Sequence, residues 1–160
     1  MRRKDREVTD TQQIKKILDG CKTCHLAMTD GGLPYVIPLS YAYRMEDGEL
    51  TLFFHSAKEG RKIRILQANN NVCFEMSNEG KPVFAEKTPC NSGYYFSSVH
   101  GFGHAQFVDD IDEKRSALKF LMRHQANLNV DFTPEQAKSV CVFKVVSTDF
   151  TGKRKPRSTA

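Results

Sequence analysis

No stretch of this 160-residue sequence approaches the ~20 consecutive apolar residues that a membrane-spanning helix needs, and none is repetitive or of low complexity. With 39% hydrophobic and 27% charged residues, the chain is neither membrane-embedded nor disordered. We expect one domain over 1–160, with the basic ends 1–8 and 152–160 as candidates for mobile segments. The basic residues 1–6 precede no apolar segment, so we expect no signal peptide and a cytoplasmic location.

The cysteines are odd in number, and with no export signal expected they are predicted to be reduced thiols rather than a disulfide framework. Residues 21–25 match the pattern of c-type haem attachment, but attachment needs export, and no second ligand pair follows at zinc-site spacing. Cys24 shares one face of a predicted strand with Leu26 and Met28, so burial explains it, and we predict no metal site. The five cysteines are Cys21, Cys24, Cys73, Cys90 and Cys141.

The formal net charge of +5 is concentrated at the two chain ends and around residues 58–62. Basic tails are usually solvated, and the sequence shows no helix-turn-helix, zinc finger or aromatic RNA-binding signature. We therefore predict no nucleic-acid partner and no membrane partner.

Hydrophobic periodicity predicts an α+β, mainly β domain, a six-stranded antiparallel closed or split β-barrel with flanking helices. The first helix is predicted to open with a capping box at Thr9 and Gln12 and to end near Gly20, and Thr133 and Pro134 to open a short one. Strands are predicted at 24–30, 34–44, 49–55, 71–77, 94–109 and 140–150, helices at 60–69 and 112–125, hairpin turns at 30–32 and 46–48, and a loop from the fourth strand through about residue 92.

Residues 53–62 form the most informative segment, because an apolar strand stops abruptly there and a basic helix begins. The junction contains a histidine, a serine, a glycine and the cations Lys58, Arg61 and Lys62. A helix N-terminus presents unpaired N–H groups and partial positive charge, and added cations strengthen a bond to phosphate, so the segment predicts a phosphate site. The alternative interpretation is a solvated, charged first turn.

Two other segments carry residues that are unusual in strands. Residues 34–43 contain two prolines, and because proline cannot donate to a ladder, Pro38 is predicted to lie on an edge strand or at a bulge. Residues 97–105 contain Gly101 and Gly103, which predict a bulge or a close approach of two backbones.

Taken together, these segments resemble the FMN-binding split-barrel superfamily. The order of helix, hairpin, Phe-His-Ser-Ala-Lys-Glu-Gly-Arg-Lys, helix, strand and Ser-Val-x-Gly-Phe-Gly is most similar to the nitroimidazole-resistance flavoproteins, relatives of pyridoxamine 5′-phosphate oxidase. The resemblance runs from residues 1–6 to 151–154. The family's Tyr-Arg-Ser-Val is here Phe-Ser-Ser-Val at 96–99, a difference on the substrate side of the pocket. Pyridoxamine 5′-phosphate oxidase activity itself is disfavoured, because its C-terminal substrate motif includes a tryptophan and this chain has none.

The resemblance implies a homodimer with FMN, or alternatively FAD, in a cleft between the two subunits. It implies that the flavin ring lies along residues 35–38 and that the phosphate contacts residues 56–57, Arg61 and Lys62, with Lys62 preferred over Lys58. Residues 98–99 match the second contact strand of the family, and Lys153 and Arg154 match its C-terminal Gly-Lys element. The implied cofactor-binding residues are Tyr35, Val36, Ile37, Pro38, Phe54, His55, Ser56, Ala57, Arg61, Lys62, Ser98, Val99 and Lys153.

The resemblance further implies a flavin-dependent reductase of small electron-poor molecules with nitroimidazoles as the substrate class, and with reduced nicotinamide or another electron donor. Quinones and other nitro compounds stay open as alternative substrates. His55 is the implied catalytic residue: an imidazole with an ordinary pKa of about 6.5 could hold or protonate a substrate. The alternative is that His55 only orients the phosphate loop. Two other functions stay open: a flavin-binding protein without turnover, and a haem-binding split barrel, which His100 and His104 on one strand face motivate.

Overall fold

Eight β-strands and four α-helices make up most of the part of the chain that the structure, a computed structural model, describes, which is residues 2–84 and 88–155. Two short 3₁₀ turns, Lys4–Arg6 and Pro89–Asn91, precede the first and the seventh strand. In chain order the elements are β1 (Glu7–Val8), α1 (Thr11–Gly20), β2 (Thr23–Asp30), β3 (Leu33–Ser40), β4 (Ala42–Glu46), β5 (Glu49–Ser56), α2 (Arg61–Ala68), β6 (Asn71–Val83), β7 (Gly93–Phe107), α3 (Ile111–Ala126), α4 (Pro134–Lys138) and β8 (Cys141–Lys155).

The strands form one antiparallel sheet in the order β3-β2-β6-β7-β8-β5-β4, and β1 pairs with β8. The sheet curls, so that β3 also lies beside β5 although no ladder joins these two strands in the described residues. The barrel is split at this place and the sheet is not closed. The predicted α+β, mainly β split barrel is therefore confirmed, with Pro38 on the end strand β3.

The predicted number of six strands is wrong, and two features account for the difference. β1 has only two residues, too few to leave a periodic signal, and pairs with Gly152 and Lys153 of β8. The strand predicted at 34–44 divides at Tyr41, whose buried hydroxyl donates to the carbonyl oxygen of Leu18 at 2.8 Å. As a result β3 pairs with β2, whereas β4 pairs with β5.

The loop predicted from residue 77 through about 92 is also wrong in its first part. β6 continues to Val83 and pairs with β7 across a register shift between Glu79 and Pro82. Because the residues in this extension are mostly polar and exposed, the strands pair through the backbone and leave no apolar alternation to detect.

Both irregularities predicted for β7, a bulge and a close approach of two backbones, are present. The register between β7 and β8 shifts between Phe102 and His104, which is a bulge. A Cβ atom added at Gly101 would lie 2.7 Å from the carbonyl oxygen of Asp149, so only glycine lets the backbones of β7 and β8 approach this closely. The two glycines of this segment therefore serve the packing of the barrel.

The predicted basic C-terminal end divides into two parts. Residues 152–155, expected to be mobile, continue β8 instead, with Gly152 buried against Val8. The remaining residues of that prediction, 156–160, lie outside the described part of the chain.

The helix caps agree with the sequence in one of two cases. Thr133 and Gln136 form the predicted reciprocal capping box, with each backbone N–H donating to the other side chain. The box predicted at Thr9 is wrong, because the carboxylate of Asp10 accepts the hydrogen bond from the N–H of Gln13 at 2.8 Å. Asp10 stands three residues before that N–H, the spacing that a cap requires, and Thr9 stands one residue too early.

The hydrophobic core fills the barrel and extends under α1. Phe54 of β5 is wholly buried and stacks on Phe143 of β8, with ring centroids 5.1 Å apart. This contact anchors the end of β5, from which the candidate site begins. All five cysteines lie in the described residues and none forms a disulfide there, and burial raises the pKa of the Cys24 thiol. None of the helices in the described residues has the length and apolar character needed to span a membrane.

Candidate functional site

The connection from β5 to α2 ends in an open helix start. Gly60, directly before α2, has a φ of 133°, which favours glycine, and no side chain of the described residues caps the helix. The first backbone hydrogen bond of the helix runs from the N–H of Arg64 to the carbonyl oxygen of Gly60 at 3.2 Å. The N–H groups before Arg64 therefore point out of the helix beside Arg61 and Lys62, an arrangement that favours an anion.

Arg61 joins this helix start to the hairpin between β2 and β3. Its Nε donates to Oδ2 of Asp30 at 2.7 Å, and its guanidinium carbon lies 4.5 Å from the centroid of the Tyr35 ring. Asp30 is held in place by the hairpin, whose turn residues Gly31 and Gly32 both have positive φ. Two residues predicted for the cofactor site, Tyr35 and Arg61, are thus in contact across 26 positions of sequence.

His55 and Ser56 occupy the last two positions of β5. The His55 ring keeps an exposed surface, yet partial desolvation, and then the nearby Lys62 ammonium, lower its pKa below the ordinary value of 6.5. The imidazole is therefore mostly neutral at neutral pH. The Ser56 hydroxyl donates to the carbonyl oxygen of Ala57 at 2.8 Å, which leaves its oxygen able to accept.

The strand β3 presents an open edge beside this turn. Tyr35 and Ile37 pack inward against the core, whereas Val36 is 56% exposed on the outer face of the sheet. Proline has no N–H to give to the ladder with β2, so the main chain at Pro34 and Pro38 is expected to face away from β2. Val36 lies two residues from each proline, so its main chain faces the same side of β3 as theirs. Its N–H and carbonyl groups are then available at the open edge of the sheet.

A second group of predicted residues lies elsewhere on the sheet. Ser98 of β7 pairs with Lys153 of β8, and the Lys153 ammonium lies 5.6 Å from the centroid of the Phe96 ring. β7 lies three strands away from β3 in the sheet. Strand pairing places Val36 of β3 in line with Phe102 of β7, and Ser98 lies four residues along β7 from Phe102. These steps separate the second group from the β3 edge by roughly 20 Å along the sheet. A single chain therefore does not bring the two groups together.

Two predicted residues have no side chain to offer a ligand. Phe54 and Val99 are wholly buried in the core, so any contact they make with a bound molecule is limited to their main chain. The remaining predicted residues, Ala57 and Pro38, are exposed.

The sequence reasoning missed Asp30, which it treated only as part of a turn. Its partner Arg61 is 31 positions away in the sequence, and a local sequence pattern does not predict a pairing at that separation. It also missed a contact on the outer sheet face, where Sγ of Cys73 lies 3.2 Å from Nε2 of His100. In the described residues no group of three or more histidine, cysteine or acidic side chains is placed to hold a metal ion.

The sequence matches the family described as pyridoxamine 5′-phosphate oxidase over residues 10–154. This chain belongs to that family. The match covers the β5–α2 connection, the β3 edge and the glycine-containing strand, the segments on which the predicted relationship rested. No match was found among the curated proteins.

Solved structures agree with membership in the pyridoxamine 5′-phosphate oxidase family. A proposed 5-nitroimidazole antibiotic resistance protein from Bacteroides thetaiotaomicron VPI-5482 is 35% identical, over 92% of this chain and 86% of that one, with a TM-score of 0.79. The flavocytochrome Anf3 from Azotobacter vinelandii is 20% identical, over 98% and 72%, with a TM-score of 0.80. The FAD and heme binding protein from Mycobacterium smegmatis is 18% identical, over 94% and 73%, with a TM-score of 0.78. The last two support the fold alone.

Proposed function

We propose that this protein is a flavin-dependent reductase of small electron-poor molecules, with nitroimidazole-type nitro compounds as its main substrate class. The observation that carries the proposal is the uncapped, cationic start of α2 beside the open edge of β3. The 35% identity to a proposed 5-nitroimidazole resistance protein supports the substrate class. The five free thiols favour a reducing compartment, and a cytoplasmic location is part of the proposal.

The residues present fit the two ends of FMN. At the phosphate end, Arg61 and Lys62 stand at a helix start whose first N–H groups lack a capping side chain in the described residues. At the ring end, the edge of β3 offers the N–H and carbonyl groups of Val36 to the polar pyrimidine edge, with an exposed apolar side chain beside them. FAD carries the same ring and a second phosphate, so the choice of FMN rests on the family resemblance.

A bound reduced flavin anion would supply two electrons and one proton as a hydride, and one further proton completes the conversion of a nitro group to a nitroso group and one water. The side chains of this protein bind the flavin and orient the substrate. Arg61 and Lys62 hold the phosphate by charge-assisted hydrogen bonds. His55, neutral for most of the population at neutral pH, donates a ring N–H to a substrate oxygen, and its protonated fraction delivers a proton there.

We propose that two copies complete the site as a homodimer. The outer sheet face carries exposed apolar side chains in one row, with Val36 56% and Phe102 53% exposed. A second copy packed on this face would bury them and place the Ser98–Lys153 pair of one subunit beside the β3 edge of the other. Light scattering during gel filtration tests this: a dimer that Phe102→Glu converts to a monomer supports it, and a monomeric parent protein contradicts it.

The activity itself is tested by the transfer of electrons to an acceptor. The FMN-loaded protein is reduced anaerobically with dithionite, freed of excess reductant and mixed with a 5-nitroimidazole, and the return of the oxidised flavin absorption is followed. We expect faster reoxidation than with free reduced FMN at the same concentration, and a nitroso, hydroxylamine or amine product by mass spectrometry. Equal rates for bound and free FMN would contradict the proposal. Replacing dithionite by NADH or NADPH then tests reduced nicotinamide as the donor, and a quinone tests the second substrate class.

A further inference from the structure

We infer that Asp30 is a positioning residue for the phosphate end of the flavin site, because it holds Arg61 in an orientation that leaves part of the guanidinium group unpaired. This inference rests on the proposed function, since it concerns how the chain distinguishes a phosphorylated flavin from riboflavin. It adds to that site a residue from the β2–β3 hairpin.

The contact between Asp30 and Arg61 uses only one edge of the guanidinium group. The Nε donates to the carboxylate at 2.7 Å, and the two terminal nitrogens have no acceptor among the described residues. The chain contains a contrasting arginine. Arg3 donates from both Nε and Nη2 to the two carboxylate oxygens of Asp5, at 2.7 and 2.5 Å. That pairing uses two nitrogens of the Arg3 guanidinium group at once, whereas both terminal nitrogens of Arg61 stay available to a phosphate oxygen.

Tyr35 contacts the same guanidinium group from a second direction. The guanidinium carbon lies 4.5 Å from the ring centroid, and the ring itself packs against the core. Asp30 is equally anchored, because it pairs with Leu33 across a two-residue turn. Arg61 is therefore held by residues of two paired strands, β2 and β3.

Stability alone does not explain the arrangement. The side chains of Asp30 and Arg61 are 42% and 49% exposed, and ion pairs with this much exposure contribute little to folding. For ligand binding the arrangement matters more. An arginine side chain without a partner loses rotamer freedom when it binds phosphate, and an arginine side chain that is already held by a partner loses less. The pair thus favours the phosphorylated ligand without needing to stabilise the fold.

Fluorescence titration with FMN and with riboflavin tests the inference, using the ratio of the two dissociation constants as the readout. We expect Asp30→Ala to lower the preference for FMN by about three- to tenfold, with riboflavin affinity unchanged. Asp30→Asn keeps an oxygen that accepts from Nε and should retain most of the preference. In an Arg61→Ala background, Asp30→Ala should have no further effect, because Asp30 acts through Arg61.

A matched control comes from the hairpin between β4 and β5. Glu46 is paired with Arg44 at 3.7 Å, also at the surface, and Glu46→Ala should leave the ratio unchanged. An unchanged ratio in Asp30→Ala would overturn the inference, and so would an equal effect of Asp30→Ala with and without Arg61. A higher FMN preference would overturn it as well, because Asp30 would then compete with phosphate. Failure of the parent protein to bind either flavin would instead overturn the proposed function and this inference with it.

Discussion

The two glycine-containing motifs of this chain have opposite physical roles. Gly60 in the β5–α2 connection has a φ of 133°, and a Cβ atom added there would meet nothing within 4 Å. Gly101 in β7 has no such conformational need, but its added Cβ would lie 2.6 Å from Cβ of Phe150. The first glycine shapes an open, cationic turn, and the second lets three strands pack at close range.

The surroundings of the two motifs differ in the same way. Lys62 and His55 beside Gly60 are at least partly exposed to solvent, whereas Val99 and Phe74 beside Gly101 are wholly buried. The resemblance to the family rests on both motifs, but only the open one surrounds its glycine with exposed and charged side chains. A glycine motif therefore indicates function only when its environment is known.

The largest expected effect is on the packed motif. Gly101→Ala places a methyl group 2.5 Å from the Phe74 ring and 2.7 Å from the carbonyl oxygen of Asp149, so strands must shift. We expect a loss of about 3 kcal/mol in the free energy of unfolding, measured by urea denaturation. The control is Gly20→Ala at the end of α1, where the nearest atom is a side-chain nitrogen at 3.4 Å and the change should be neutral or slightly stabilising. Equal midpoints for the two variants would show that the strands adapt.

The next effect concerns the open motif and its chemistry. His55→Ala should keep flavin bound but lower nitro reduction by about 100-fold or more if the imidazole protonates the substrate. The lowered pKa of His55 fixes the sign of the pH dependence: the protonated form predominates only below an inflection under 6.5 and becomes a shrinking fraction above it. Turnover by the parent protein should fall as pH rises through that inflection, and the variant should lack the step. Full activity in His55→Ala would reduce the residue to orienting the phosphate loop.

Lys62→Ala should weaken FMN binding by about tenfold, because it removes a charge-assisted contact to the phosphate. Lys58→Ala is the matched control, since Lys58 lies in the preceding turn and not in α2. Isothermal titration calorimetry measures both. Unchanged FMN affinity in Lys62→Ala would contradict the placement, and a larger loss in Lys58→Ala would transfer the role to Lys58.

The smallest effect is a pH-dependent one, away from both motifs. His124 of α3 packs against Tyr41 with ring centroids 4.9 Å apart, its Nε2 lies 3.0 Å from the carbonyl oxygen of Cys21, and burial is the main cause that lowers its pKa. The unfolded chain takes up this proton at the ordinary pKa of 6.5, before the folded chain does. The free energy of unfolding should therefore decrease as pH falls below about 6.5 and level off below the folded pKa.

His124→Gln should reduce that pH slope in urea denaturation between about pH 7.5 and about pH 5. His55 shifts in the same direction, so the comparison of parent and variant isolates the contribution of His124. An identical slope in both proteins would contradict the assignment.

Much of the fold could be predicted from periodicity and turn chemistry. Buried and more exposed positions alternate along β2 and β3, and Pro38 in β3 indicated the place of that strand at the sheet edge. The two-residue β1 and the polar extension of β6 could not be predicted, because both are held by backbone pairing. The division of 34–44 depends on the hydroxyl of Tyr41 reaching α1, a tertiary contact that periodicity does not report.

The candidate site was predicted in its parts but not in its assembly. The β5–α2 motif is local, so its residues could be identified by type and spacing. The contacts of Arg61 with Asp30 and Tyr35 bridge distant positions and became visible only in the folded chain. The separation of Ser98 from the β3 edge likewise depends on strand order, which the sequence does not state.

The central claim is that this chain binds flavin, and the most direct test is a visible absorption spectrum of the freshly purified protein with mass spectrometry of whatever heat releases. We predict the absorption bands of oxidised flavin and a released molecule with the mass of FMN. A Soret band with no released flavin would contradict the claim and favour the haem-binding alternative. A colourless protein that also fails to bind added FMN would show that the fold has been kept without the cofactor.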